Sequence, residues 1–129
     1  MELLQSTDYS NIFYVDCFEK EFQKITREDF TDKEPYPRYQ KWLIGKLAVL
    51  NTFGTDALKL RDFEPLNTPN GAPKLYSIRY PKSKLNPRVI YVYYDRSTAI
   101  LLGAFLEKNS SDYSRNITKA LGRLKILNQ

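Results

Sequence analysis

The chain contains no histidine, one cysteine, one tryptophan and one methionine among its 129 residues. Without an imidazole there is no histidine for a metal shell, a nucleophile–base triad or an acid–base pair. Cys17 alone can form neither an internal disulfide nor a thiolate cage, which fits a reducing compartment and argues against zinc and iron–sulfur chemistry. Long hydrophobic runs are also missing. The longest, Ala99 to Leu106, falls far short of the roughly 20 residues that cross a bilayer. The N-terminal Met-Glu-Leu-Leu-Gln has none of the basic, apolar, small-residue order of a secretory leader. The expectation is a cytoplasmic protein with no membrane partner, no metal and no cofactor.

What is present suffices for one folded domain over residues 1–129: 42% hydrophobic, 14% aromatic and 27% charged residues. The net charge of +5 is unevenly spread. Residues 1–73 hold 9 Lys and Arg against 12 Asp and Glu, a balance of −3, while residues 74–129 hold 11 against 3, a balance of +8. A basic half points to an acidic partner such as nucleic acid, an anionic membrane surface or an acidic protein segment; its plain reading is a cationic face kept for solubility.

Periodicity divides the chain into elements. Asn11 to Phe18 is β-branched and aromatic and reads as a strand. Phe18, Phe22 and Ile25 then recur at helical spacing among charged residues. Tyr39, Trp42, Leu43, Leu47, Leu50 and Phe53 mark a longer helix from Arg38, with Gly54 at its C-cap and Trp42 and Leu47 on its buried face. Glu64 to Pro73 is rich in Pro, Asn and Gly and reads as a connecting loop. Three strands follow, Leu75 to Tyr80, Arg88 to Tyr94 and Thr98 to Leu106, the last apolar enough to be buried on both faces, with a tight turn at Asp95-Arg96-Ser97. A final helix, capped by Ser110 or Ser111, presents Ile117, Ala120, Leu121, Leu124 and Leu127. The order β-α-α-β-β-β-α predicts an α+β domain. Its curved, mostly antiparallel sheet carries helices on one face and leaves the Arg79 face partly free.

Leu75-Tyr76-Ser77-Ile78-Arg79, Pro87-Arg88-Val89-Ile90-Tyr91 and Ile100 to Lys108, followed twelve residues on by Ala120, resemble the RelE/HigB superfamily of toxins, most of all its phage-derived, HigB-like branch. The resemblance covers about residues 75–122 by motif and residues 11–66 in pattern only. It implies a RelE-like domain that is the toxin of a toxin–antitoxin pair. Such a toxin is a metal-independent, ribosome-dependent mRNA endoribonuclease, in which the RNA 2′-hydroxyl attacks the adjacent phosphodiester to leave a cyclic phosphate and a 5′-hydroxyl. The partners implied are a cognate antitoxin, the ribosome with its mRNA, and operator DNA through the antitoxin complex. Two other functions fit the same likeness: a ParE-like toxin acting on a protein target, and an inactive relative that only binds antitoxin or operator DNA.

By position in the motif, Arg79 and Arg88 are the expected phosphate clamps, since a guanidinium fork matches two phosphate oxygens; each also reads as a structural or solvated strand charge. Lys108 corresponds to the second basic residue of the family's lysine pair, a transition-state cation or a base, and otherwise an ordinary exposed lysine. Tyr113 lies near the family's C-terminal tyrosine, which stacks on or deprotonates substrate, and otherwise reads as a packing aromatic. Lys82, Lys84, Arg96 and Arg115 are the expected further RNA contacts. Tyr91, Tyr93 and Tyr94 offer stacking surface or cross-strand packing. The motif is thinned: Glu107 stands in place of the first lysine, Gly103-Ala104 in place of His-Gly, and Ser77 in place of glutamate. Alternation at the strand end should send Glu107 and Lys108 to opposite sides. A Glu107 facing RNA would either repel phosphate or act as the base.

Overall fold

The computed structural model describes residues 1–29, 33–81 and 84–129. Its elements run β1 (Leu3–Gln5), β2 (Ile12–Val15), α1 (Phe18–Thr26), α2 (Arg38–Phe53), a 3-10 turn (Gly54–Lys59), β3 (Phe63–Pro65), β4 (Tyr76–Arg79), β5 (Pro87–Tyr93), β6 (Ala99–Leu106) and α3 (Ser111–Leu127). The expected elements are all there, with two short strands added. β1 forms a hairpin with β2, and β3 overlaps the start of the stretch read from sequence as loop.

The six strands form one mixed sheet in the order β1-β2-β6-β5-β4-β3. Every neighbouring pair is antiparallel except β2 and β6, which run parallel with Phe13 opposite Ile100. β6 is buried over its length except at Leu106, as a central strand covered on both faces should be. A bulge between Ile90 and Tyr91 of β5 shifts the register against β6 and exchanges which residues share a face on either side of it.

The helices lie on both faces, which corrects the one-sided packing expected from sequence. On the Ile78 and Val89 face, α2 and the 3-10 turn bury Leu43, Leu50 and Ala57 against Phe63 and Tyr91. Tyr93 Oη donates to the Gly54 carbonyl and lies 3.1 Å from Tyr91 Oη. On the opposite face α3 sets Ile117, Ala120 and Leu124 into the core. The cause is the composition of that second face: Ile90, Gly103 and Phe105 lie on it beside Ser77 and Arg88, and such a surface must itself be covered. Its far end, around Arg79, stays exposed.

Helix ends are fixed from a distance. The Glu28 carboxylate accepts the Tyr39 and Gln40 amides at 2.8 to 3.1 Å and so caps α2, whose N-cap Pro37 has no side-chain acceptor. At α3 neither serine side chain caps; Asp112 instead accepts the Lys108 and Asn109 amides at 2.7 and 2.9 Å, holding the turn out of β6. Gly54 ends α2 at φ 54° and is packed so closely that a Cβ there would stand 2.1 Å from the Arg96 carbonyl oxygen. Trp42 and Leu47 are half-buried rather than central, Trp42 stacking on Phe22 and meeting Tyr80 edge-on.

β2 stops short of the C-terminal half of β6, and α1 lies alongside in its place. The exposed edge is closed by side chains. Glu21 of α1 accepts the Ala104 amide at 2.8 Å, Arg123 of α3 donates to the Leu102 carbonyl at 2.6 Å, and the two pair with each other at 2.6 Å. Burial would raise the Glu21 carboxyl, but the hydrogen bonds from Arg123, Ala104 and Lys119 outweigh it and hold the group below its usual range. Gly103 sits under this clasp, where a Cβ would lie 2.9 Å from Arg123 Nη1 and 3.0 Å from Glu21 Oε1.

Candidate functional site

Strand pairing brings the polar residues of one sheet face together. Glu64 of β3 lies opposite Ser77 of β4, and Arg79 of β4 opposite Arg88 of β5. The Glu64 carboxylate accepts three hydrogen bonds: from Ser77 Oγ at 3.2 Å, Arg79 Nη1 at 3.3 Å and Tyr113 Oη at 3.4 Å. Tyr113 reaches it from the first turn of α3, its ring set edge-on against Phe105 at 5.1 Å. A carboxylate, a guanidinium and a phenol therefore meet at one point. Burial is the main cause that raises the Tyr113 phenol, with Glu107 and Glu64 adding to it against Ser77 and Arg88, so it stays protonated at neutral pH.

Two clefts flank this point. One, of about 580 Å³, is bounded by Glu64, Tyr113, Ser114 and the residues of the Pro/Asn stretch from Pro65 to Pro69. The other, of about 390 Å³, is bounded by Arg61, Asp62, Arg79, Tyr80, Asn86 and Arg88. Three guanidinium groups thus border the second cleft, of which Arg79 is shared with Glu64 and Arg88 with Glu107, while Arg61 has no ion pair with any described residue and Asp62 is bound by Lys46 at 2.7 Å. Its electrostatics favour an anion.

Arg88 has a different first task from the free phosphate clamp expected of it. Its side chain is 5% exposed, with Nε and Nη2 donating to one oxygen of Glu107 at 3.2 and 2.8 Å and Nη1 to the carbonyls of Tyr80 and Pro87, both at 3.0 Å. Nearly the whole fork is consumed, because a buried guanidinium needs those partners. Glu107 is accordingly the counter-ion of Arg88. Lys108, two residues past the end of β6, lines a groove between α1 and α3 and neither of the two clefts, and so stands apart from Arg79 and Tyr113. Arg115 lines that same groove, paired with Asp112. Lys84 is exposed in the β4–β5 connection that borders the arginine cleft. Arg96 is at the β5–β6 turn beside Gly54, at the far end of the sheet, and does not belong to the site. Lys82 lies outside the described residues. Tyr91 and Tyr93 are packed with Tyr76 as an aromatic cluster, and only Tyr94 is exposed.

Glu64 and Arg61 are the side chains of the candidate site that sequence reading misses. Both lie around a three-residue edge strand whose flanking Pro, Asn and Gly residues signal loop. The usable signal was Phe63-Glu64-Pro65, an apolar residue followed by a carboxylate with a proline at the strand end, a position where an edge strand tolerates it.

Among the described residues no group of three or more Cys, Asp or Glu could hold a metal ion, and no helix is long and apolar enough to cross a membrane. No family model, curated protein or solved structure matches the chain.

Proposed function

We propose that this chain is the toxin component of a toxin–antitoxin pair, a metal-independent, ribosome-dependent mRNA endoribonuclease of the RelE/HigB kind. The observation that carries the reading is the convergence of Glu64, Arg79 and Tyr113 between two clefts, one of them lined by arginines. The element order supports it too: with β1 and β3 set aside, it is the expected β-α-α-β-β-β-α.

Transfer to the 2′-hydroxyl needs a base, a cation and an acid, and the three side chains supply one each. Glu64 takes the proton of the 2′-hydroxyl as its oxygen bonds to phosphorus. Arg79 holds the non-bridging oxygens, with Arg61 extending the cationic wall along the neighbouring phosphate. The bond from phosphorus to the 5′-oxygen breaks, and Tyr113, protonated at neutral pH, gives that oxygen its proton. Glu64 has then gained a proton and Tyr113 lost one, and the hydrogen bond between them returns it. Arg88 acts as a positioning residue whose charge helps to set the field at the phenol. A cognate antitoxin, the ribosome and operator DNA reached through the antitoxin complex are the partners this reading entails.

The closing of Arg88 by Glu107 also favours a second reading, a relative that keeps the fold and binds antitoxin or operator DNA without cutting. Cleavage on programmed ribosomes separates the two. Wild type should yield cyclic-phosphate and 5′-hydroxyl ends. Glu64→Gln and Tyr113→Phe should each lower single-turnover cleavage by roughly 10²–10⁴-fold, and Arg79→Ala by roughly 10²–10³-fold. Intact mRNA with wild type, or cleavage unaffected by Glu64→Gln, would overturn the endonuclease reading.

A further inference from the structure

The groove between α1 and α3, about 530 Å³, shares no lining residue with the two clefts at Glu64 and Arg79. Its rims are cationic. Lys20 and Lys24 stand on α1, with Lys108, Arg115 and Lys119 on the other side. The two carboxylates in its wall are already engaged: Glu21 by Arg123 and Lys119, Asp112 by Arg115 and by the Lys108 and Asn109 amides. Lys20, Lys24 and Lys108 have no ion pair with any described residue. The floor is apolar, made by Ile25 with Ala104, Phe105 and Leu106 at the end of β6.

We infer that this groove docks an acidic amphipathic helix of a partner protein. Charge complementarity selects the sign: Arg115 and Lys119 are matched by Asp112 and Glu21, while Lys20, Lys24 and Lys108 keep their charge unpaired among the described residues, so an occupant with acidic edges is attracted. The floor selects the chemistry. Nucleobases would need an exposed aromatic face to stack on, and the one ring in this lining, Phe105, is buried against Tyr113, whereas a helix with leucines at i, i+3, i+4 and i+7 matches an aliphatic floor, and its glutamates then reach both rims. The dimensions agree, since α1 is nine residues long and a parallel helix of similar length, roughly 14 Å, would cover it. This inference rests on the groove alone and holds whether or not the chain cuts RNA.

The test uses the full chain and a labelled 12-residue peptide with leucine at those spacings and glutamate elsewhere, followed by fluorescence anisotropy. Two probes of matched charge accompany it, the same composition scrambled to destroy the apolar face and a single-stranded RNA oligomer. The designed peptide should bind at least tenfold tighter than the scrambled one. Lys20→Glu with Lys24→Glu, both exposed positions, should weaken it at least tenfold, and Glu64→Gln should leave it unchanged. Equal binding of the scrambled peptide would reduce the groove to a charge patch and overturn the inference. So would displacement by the RNA at the peptide's own affinity, or unchanged binding by the double variant while circular dichroism shows it folded.

Discussion

Glu107 is best understood by removing it. Arg88 is 5% exposed on its side chain, and Glu107, 30% exposed, takes hydrogen bonds from both Nε and Nη2. Glu107→Ala leaves a buried guanidinium with two donors facing no acceptor, and breaking a buried pair in this way costs about 3–5 kcal/mol. The exposure of Glu107 lets water recover part of that, so we expect a loss near 3 kcal/mol. Glu107→Gln keeps an acceptor but no charge and should lose about 1–2 kcal/mol. Glu107→Lys, which restores the residue type of the resembled motif, sets two cations together. At 4 Å and an effective dielectric constant of 20, that repulsion reaches about 4 kcal/mol in addition to the lost pair. A domain of this size holds only about 5–15 kcal/mol in all, so the lysine variant should be largely unfolded. Arg88→Met with Glu107→Leu should recover at least half of the loss, since an apolar replacement of the whole pair leaves no lone charge. Equilibrium urea unfolding at pH 7 measures the series. A Glu107→Ala stability within about 0.5 kcal/mol of wild type, the range of an ordinary surface change, would refute a stabilising role for the pair.

Three further expectations concern stability. Gly54→Ala should cost about 3 kcal/mol or more, because φ is 54° and its Cβ would sit 2.1 Å from the Arg96 carbonyl oxygen; an unchanged urea midpoint would contradict it. Gly103→Ala should cost about 1–3 kcal/mol by prising Arg123 from Glu21, and combining it with Arg123→Ala should give less than the sum of the two single losses. Glu21 and Asp112 are both held below their usual range in the folded state, so the stability they contribute is present above the unfolded carboxyl value and disappears as pH falls through the folded one. Wild type should therefore weaken steeply below about pH 4, and Glu21→Gln, less stable at pH 7, should lose less between pH 7 and pH 3 when urea midpoints are compared.

Long-period patterns were legible in the sequence, and short-range partners were not. α2 and α3 follow from 3.6-residue apolar spacing over 16 and 17 residues, and β6 from an apolar run bounded by a turn. β1 and β3 are three residues each, too short to show alternation, and exist because a neighbouring strand offers hydrogen bonds. The missing β3 hid Glu64, the residue on which Arg79 and Tyr113 converge. Arg79 and Tyr113 themselves were readable as candidates. The burial of Arg88 was not, because a single arginine in a β-rich stretch looks alike whether it faces water or a carboxylate 19 residues on. The helices on both faces were missed for a related reason: Arg79 read as marking a partly free face, although Ile90 and Phe105 share it.

The parallel pairing of β2 with β6 sets the order in which the chain can fold. Phe13 and its partner Ile100 are 87 residues apart, so β2, with the hairpin strand β1 on its outer side, can reach its place in the sheet only after β6 exists. At a synthesis rate of about 5–20 residues per second, the N-terminal strand waits roughly 4–17 seconds for it. Through that interval the apolar side chains Ile12, Val15, Phe18 and Phe22 have no sheet to cover them. Pairings this distant in sequence slow folding because the entropy of closing a long loop is lost before the contact is gained. The strands β4, β5 and β6, joined by short connections, form the local unit on which the earlier segment later docks. A cut between Pro69 and Pro73 would part β6 from β2 and leave each fragment with an open strand edge and half a core, a species suited to aggregation or to complementation by the other half.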